Sequence, residues 1–131
     1  MGKTVWSCVR RDARDATTAR REVREFLSQD ADDGSDLDGA ETIVGELVAN
    51  VIRHAPGPIG VYCSWDENGA VLVVSDRGPG IPALRSVPDG HHECGRGLLI
   101  VLALARRLTV ERSTPYGSRV VVQLPVNRRA A

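Results

Sequence analysis

A strong β-hairpin pattern in the middle of the chain limits the fold more than any other feature. Residues 59–65 and 70–75 are rich in valine and aromatic side chains. Residues 66–69, Asp-Glu-Asn-Gly, lie between them and contain an Asn-Gly pair that accepts positive φ. Residues 108–111 and 118–124 form a second such pair around a Pro-Tyr-Gly turn. Two hairpins favour antiparallel pairing, because parallel neighbours need a crossover between strands.

Three helical segments accompany the hairpins. Residues 13–29 carry apolar side chains at helical spacing, and a second helix follows an N-cap signal at Asp36 and runs to about Ala55. Residues 98–107 form the third, which we expect to end on two arginines, where cations are favoured. With an opening strand at 4–9, the order is β α α β β α β β. This order predicts an α+β, two-layer sandwich, with three helices covering one face of a mostly antiparallel mixed sheet.

The length and charge balance narrow the class of protein. A chain of 131 residues is expected to form a single domain, 1–131. Seventeen basic residues balance seventeen acidic ones, so no overall field draws the chain to nucleic acid or to an anionic membrane. No apolar run approaches the roughly 20 residues that span a bilayer. Three cysteines without metal-site spacing favour a reducing compartment. We therefore expect a cytoplasmic protein.

The first motif lies on the predicted second helix. Glu46 and Asn50 are four residues apart and project from the same face, which Arg53 and His54 extend by another turn. A carboxylate beside an amide oxygen can hold hydrated Mg²⁺ and can orient or deprotonate an attacking hydroxyl. Arg53 can neutralise phosphate charge. The alternative is the polar outer face of an ordinary amphipathic helix.

The second motif follows a buried strand. Asp76 comes directly after the predicted strand 70–75, which contains the apolar run 71–74, a position that solvation alone does not explain. A carboxylate there can accept a hydrogen bond from the exocyclic amine of adenine. Gly78 and Gly80 allow the backbone to turn tightly and approach a flat base, and Ile81 follows them. Glycines at this spacing are also common in ordinary turns.

The third motif, Gly95-Arg96-Gly97-Leu98, opens the last helix. The free amides and positive dipole at a helix start favour a phosphate, and glycines permit close contact. Arg96 adds positive charge. Alone, such a motif is often a loop hinge, but the three motifs in this order on helix, strand end and helix start are far more specific.

These motifs resemble those of the GHKL ATPase superfamily, with its Bergerat ATP-binding fold, over residues 13–124. The small RsbW-type anti-sigma-factor serine kinases, many of them stand-alone actinomycete proteins, are the most similar subgroup. The resemblance implies that Glu46 is the general base, Asn50 the Mg²⁺ ligand and Asp76 the adenine-binding acid, with residues 83–94 as the ATP lid. The other residues that it assigns to the ATP pocket are Arg53, His54, Gly78, Gly80, Ile81, Gly95, Arg96, Gly97 and Leu98.

The resemblance also implies a function. Members phosphorylate a serine on a STAS-fold anti-anti-sigma factor, bind a sigma factor in their other state, and commonly form homodimers. The chain departs from the pattern at Val51, where alanine is usual, and its lid is short. These departures keep open a non-enzymatic, nucleotide-gated module that sequesters a regulator. The ATP-binding half of a histidine kinase is disfavoured, because all three histidines lie at or after His54.

Overall fold

A computed structural model describes residues 3–8, 12–54, 57–76, 95–112 and 117–130 of the chain. Within these residues it contains five strands and three helices. In chain order they are β1 (Lys3–Cys8), α1 (Arg14–Ser28), α2 (Leu37–His54), β2 (Ile59–Asp66), β3 (Gly69–Asp76), α3 (Gly95–Leu104), β4 (Arg107–Arg112) and β5 (Ser118–Gln123).

The five strands form one sheet in the order β1-β2-β3-β5-β4. Each of the four described pairings is antiparallel. The predicted α+β sandwich is confirmed, whereas the expected mixed character of the sheet is not found among the described strands. Both predicted hairpins are present, and β3 lies at the centre of the sheet with β2 and β5 beside it.

The core lies on one face of the sheet. Alternate residues of the central strands are buried there, such as Leu72 and Val74 on β3 and Val122 on β5, because side chains on a strand alternate between faces. On the opposite face Tyr62 is 39% exposed. The helices contribute Leu27, Ile43, Leu47 and other apolar side chains to the same cluster. α1 packs against α2, and α2 packs against both α3 and β3.

Local chemistry sets where α2 begins. The Asp36 carboxylate accepts a hydrogen bond of 2.8 Å from the Gly39 backbone N–H, which satisfies one of the free amides of the first turn. The predicted N-cap is therefore confirmed.

The predicted bounds of the last helix are wrong at both ends. α3 begins at Gly95 rather than Leu98, and it ends at Leu104 rather than Arg107. Strand pairing ends the helix early, since the Arg106 backbone N–H donates to the Gln123 carbonyl (2.9 Å) and Arg107 pairs with Gln123 in the sheet. The two arginines therefore lie outside the helix.

The C-terminal segment, residues 124–130, forms hydrogen bonds with the starts of α2 and β3 at one end of the molecule. The Ala70 N–H donates to the Val126 carbonyl (3.0 Å), and the Asp36 N–H donates to the Pro125 carbonyl (2.9 Å). Gly69 has φ +119°, and a Cβ there would overlap the Val126 carbonyl oxygen, so only glycine fits. We call residues 124–130, with the starts of α2 and β3, the tied end. Since α2 and β3 both begin there, they run in the same direction toward the opposite end.

Candidate functional site

The last turns of α2 bring two predicted site residues against the start of α3. Glu46 and Asn50 lie four residues apart on α2 and face Gly97. A Cβ on Gly97 would overlap Glu46 Oε2 and would lie 3.8 Å from Asn50 Nδ2. Because Gly97 has no side chain, the carboxylate, the amide and the start of a helix come together at one point.

Asn50 is buried in an unusual way. It is 2% exposed, and its Nδ2 atom has no hydrogen-bond partner among the described residues. A buried polar atom without a partner costs about 1–3 kcal/mol, and native proteins rarely retain one without a reason. An incoming polar ligand or its hydration water can satisfy this amide. The donor set of a carboxylate and an amide also suits a hard cation such as Mg²⁺.

Asp76 ends β3 as a buried carboxylate, 6% exposed. The Ser118 hydroxyl donates a hydrogen bond of 2.9 Å to its Oδ2 atom, and the two residues are partners in the β3–β5 register. A carboxylate in this environment needs such donors, because burial without them disfavours its charge. The aspartate is therefore held at the end of the central strand by the neighbouring strand.

The lengths of α2 and β3 place Asn50 and Asp76 toward the same end of the molecule. Asn50 is the fourteenth residue of α2, which at a rise of 1.5 Å per residue puts it about 20 Å from the start of that helix. Asp76 is the eighth residue of β3, about 23 Å from the start of that strand. Both starts lie at the tied end. We call Glu46, Asn50, Asp76, Gly97 and Ser118 the site end.

Residues 9–124 match the family model described as histidine kinase-like ATPase domain. The chain belongs to this family. This histidine kinase-like ATPase domain is thus a member of the GHKL superfamily that the three motifs predicted, and membership carries ATP binding with it. No curated protein matches the chain.

Some of the remaining predicted site residues of the ATPase domain lie within the described residues, and the others lie outside them. Arg53 is exposed and His54 half-buried, both in the last turn of α2. Leu98 is fully buried in the core, where it anchors the start of α3. The structure describes the backbone at Gly95 and Arg96 as the first turn of that helix. The predictions for Gly78, Gly80, Ile81, the lid at 83–94 and the Arg96 side chain lie outside the described residues.

Ser118 is the site residue that sequence reasoning missed. It was predicted only as the first residue of a strand. The signal was present, because the alternation of β5 places Ser118 on the same face as Val120 and Val122, and a hydroxyl on a core face needs a partner.

Other chemistries find less support in the ATPase domain. Burial raises the pKa of the Cys63 thiol to about 12, so this cysteine stays protonated and is a poor nucleophile. The described residues contain no group of three or more His, Cys, Asp or Glu side chains that could hold a metal ion. None of the described helices has the length and hydropathy of a membrane span.

Val51, where the chain departs from the family pattern, is 1% exposed and lies in the core cluster.

Proposed function

We propose that this ATPase domain is an RsbW-type anti-sigma factor with protein serine kinase activity, which phosphorylates a STAS-fold anti-anti-sigma factor. One observation carries the proposal: the Glu46 carboxylate and the side-chain amide of Asn50, whose Nδ2 atom has no partner among the described residues, lie side by side against the start of α3. A general base, a cation ligand and a helix start are the parts that phosphoryl transfer to a hydroxyl requires.

In the proposed reaction, Glu46 accepts the proton of the substrate serine hydroxyl. The serine oxygen forms a bond to the γ-phosphorus of ATP, and the bond from that phosphorus to the β,γ-bridging oxygen breaks, so that ADP leaves with the electron pair. Asn50 would hold Mg²⁺ through its amide oxygen, and the cation would supply charge neutralisation for the phosphates. The amides that open α3 favour phosphate oxygens at the same place.

In this proposal Asp76 selects ATP over GTP. Its carboxylate accepts a hydrogen bond from the exocyclic amine of adenine, a group that guanine lacks at the equivalent position. The Ser118 hydroxyl, 2.9 Å from Asp76 Oδ2, holds the carboxylate in place. Arg53 and His54, at the end of α2, are assigned to the phosphate side.

The proposed biological role is partner switching in the cytoplasm. The kinase state acts on the STAS protein, and the other state sequesters a sigma factor, with the domain working as a homodimer. The balance of seventeen basic and seventeen acidic residues supports protein partners rather than direct contact with nucleic acid or membrane.

The test is phosphoryl transfer from γ-labelled ATP, with Mg²⁺, to purified STAS-fold proteins from the same organism. We expect phosphoserine with the wild type and a loss of about 10²–10⁴-fold in rate for Glu46→Ala. The matched control is Glu41→Ala, since Glu41 lies on the same helix but its carboxylate pairs with Arg24 at 3.3 Å. Equal rates for Glu46→Ala and wild type would contradict the proposal.

The same experiment separates the second candidate function. A nucleotide-gated module would bind Mg-ATP and its regulator without forming phosphoserine on any of the STAS proteins. Calorimetric titration of Mg-ATP, run beside the transfer assay, therefore distinguishes a kinase from a module that only binds.

A further inference from the structure

Gly97 lies in the first turn of α3 and faces the proposed base across the α2–α3 contact. A Cβ at this position would overlap Glu46 Oε2. We propose that Gly97 is a positioning residue, whose missing side chain fixes where the Glu46 carboxylate lies. This inference rests on the role of Glu46 in the proposed function.

The backbone does not require glycine here. The described glycines with positive φ are Gly57, Gly69 and Gly117, and Gly97 is not among them. Glycine within a helix is also less favourable than alanine, because it loses more conformational freedom on folding. The space that the Glu46 carboxylate occupies is therefore the physical reason for glycine in this turn of α3.

Alanine at this position would displace the Glu46 carboxylate and leave the Asn50 amide in place. Glu46 Oε2 is the far end of a flexible side chain, so the carboxylate would move aside and the fold would persist. Asn50 Nδ2, at 3.8 Å from the Cβ position, is at an ordinary contact distance and would stay where it is. The substitution thus displaces the base while it leaves the adjacent amide in place.

A matched control lies one residue before Glu46. A Cβ on Gly45 would lie 2.6 Å from Arg20 Cδ, so Gly45→Ala also creates an overlap with a flexible side chain. Arg20 is exposed on α1, outside the site end, and can turn into solvent. Gly45→Ala is therefore the same change against a side chain without a catalytic role.

The experiment is a double-mutant cycle on the full chain with Gly97→Ala, Glu46→Ala and both together. A misplacement of about 1 Å typically costs about 100-fold in rate. We expect Gly97→Ala to lower kcat by about that factor, with KM and Kd for Mg-ATP within about 3-fold of wild type. In the Glu46→Ala background the same change should alter the remaining rate by less than about 3-fold, because Gly97 acts only through Glu46.

A second readout needs no turnover. The side-chain carboxyl ¹³C resonance of Glu46, assigned by its loss in Glu46→Ala, should shift in Gly97→Ala and stay in place in Gly45→Ala. An unchanged resonance in Gly97→Ala would overturn the inference. So would a rise of more than about 10-fold in Kd for Mg-ATP in both backgrounds, since Gly97 would then act on the nucleotide directly. If wild type transfers no phosphate but the resonance shifts, the proposed function fails and the positioning of Glu46 by Gly97 stands.

Discussion

Two asparagines at opposite ends of the molecule show how its halves differ. At the tied end, the exposed Asn127 has protein partners: its backbone N–H donates to Ser35 Oγ (2.9 Å), and its side-chain Oδ1 accepts from Arg106 (2.8 Å). At the site end, Asn50 is buried and its Nδ2 atom has no partner among the described residues. The tied end is built for stability, whereas the site end retains an unsatisfied group that the proposed function assigns to a ligand.

The most drastic way to test this contrast is Asn50→Leu, which keeps the branching of the side chain and removes its polar atoms. We expect phosphoryl transfer to fall by more than about 100-fold, because the proposed Mg²⁺ ligand is lost. The free energy of unfolding should rise by about 1 kcal/mol, since a buried unpartnered amide is removed. Urea unfolding and the transfer assay measure the two effects. A less stable variant that still transfers phosphate would show that Asn50 contributes to stability and is not required for phosphoryl transfer.

Asp76→Asn addresses nucleotide selection at the site end. The substitution replaces a charged acceptor by a neutral one, and hydrogen bonds to charged groups contribute about 1.5–3 kcal/mol. We expect the Kd for Mg-ATP to rise about 10–100-fold, measured by calorimetry. GTP provides the internal control, because its weak binding should change little. An unchanged ratio of ATP to GTP affinity would remove Asp76 from base recognition.

Ser118→Ala removes a hydrogen-bond donor to Asp76. The buried carboxylate then has one hydrogen bond fewer, so the free energy of unfolding should fall by about 1–2 kcal/mol, with a loss in ATP affinity of less than about 10-fold. Ser75→Ala is the matched control, because its hydroxyl donates only a long bond of 3.4 Å to the Gly60 carbonyl. Comparable destabilisation of the two variants in thermal unfolding would mean that the Ser118 hydrogen bond contributes no more to stability than the Ser75 hydrogen bond.

Asn127→Ala tests the tied end and should have the smallest effect. It removes one acceptor for Arg106, whose guanidinium also donates to the Asn68 carbonyl (3.0 Å), and because the contact is exposed we expect a loss of about 1 kcal/mol in stability. The affinity for Mg-ATP should stay within about 2-fold of wild type, because the site end lies about 20 Å away along α2. A marked loss of ATP binding would show that the two ends are coupled.

Local patterns in the sequence were enough to predict much of the fold. The hairpin of β2 and β3, the N-cap at Asp36 and the α+β order follow from neighbouring residues, and each is present in the structure. The end of α3 could not be predicted in the same way, because pairing of Arg107 with Gln123 overrides the helical pattern. Strand pairing depends on residues distant in the chain, which propensity does not register.

The candidate site shows the same division. Glu46 and Asn50 could be placed on one face because a helix repeats every 3.6 residues. The Ser118–Asp76 hydrogen bond joins residues 42 positions apart, and the Gly97–Glu46 contact joins two helices. Such contacts arise only from tertiary packing. The sequence therefore predicted that Glu46 and Asn50 lie together, but it did not predict that Gly97 faces Glu46 or that Ser118 donates to Asp76.

The central claim is that one end of the molecule, bounded by α2, α3 and the end of β3, binds ATP. Calorimetric titration of Mg-ATP into wild type, Asp76→Asn and Asn127→Ala tests it most directly. We predict one ATP per chain for wild type and Asn127→Ala, with affinity about 10–100-fold weaker for Asp76→Asn. Absence of binding to the folded wild type, or equal affinity for all three proteins, would contradict the claim.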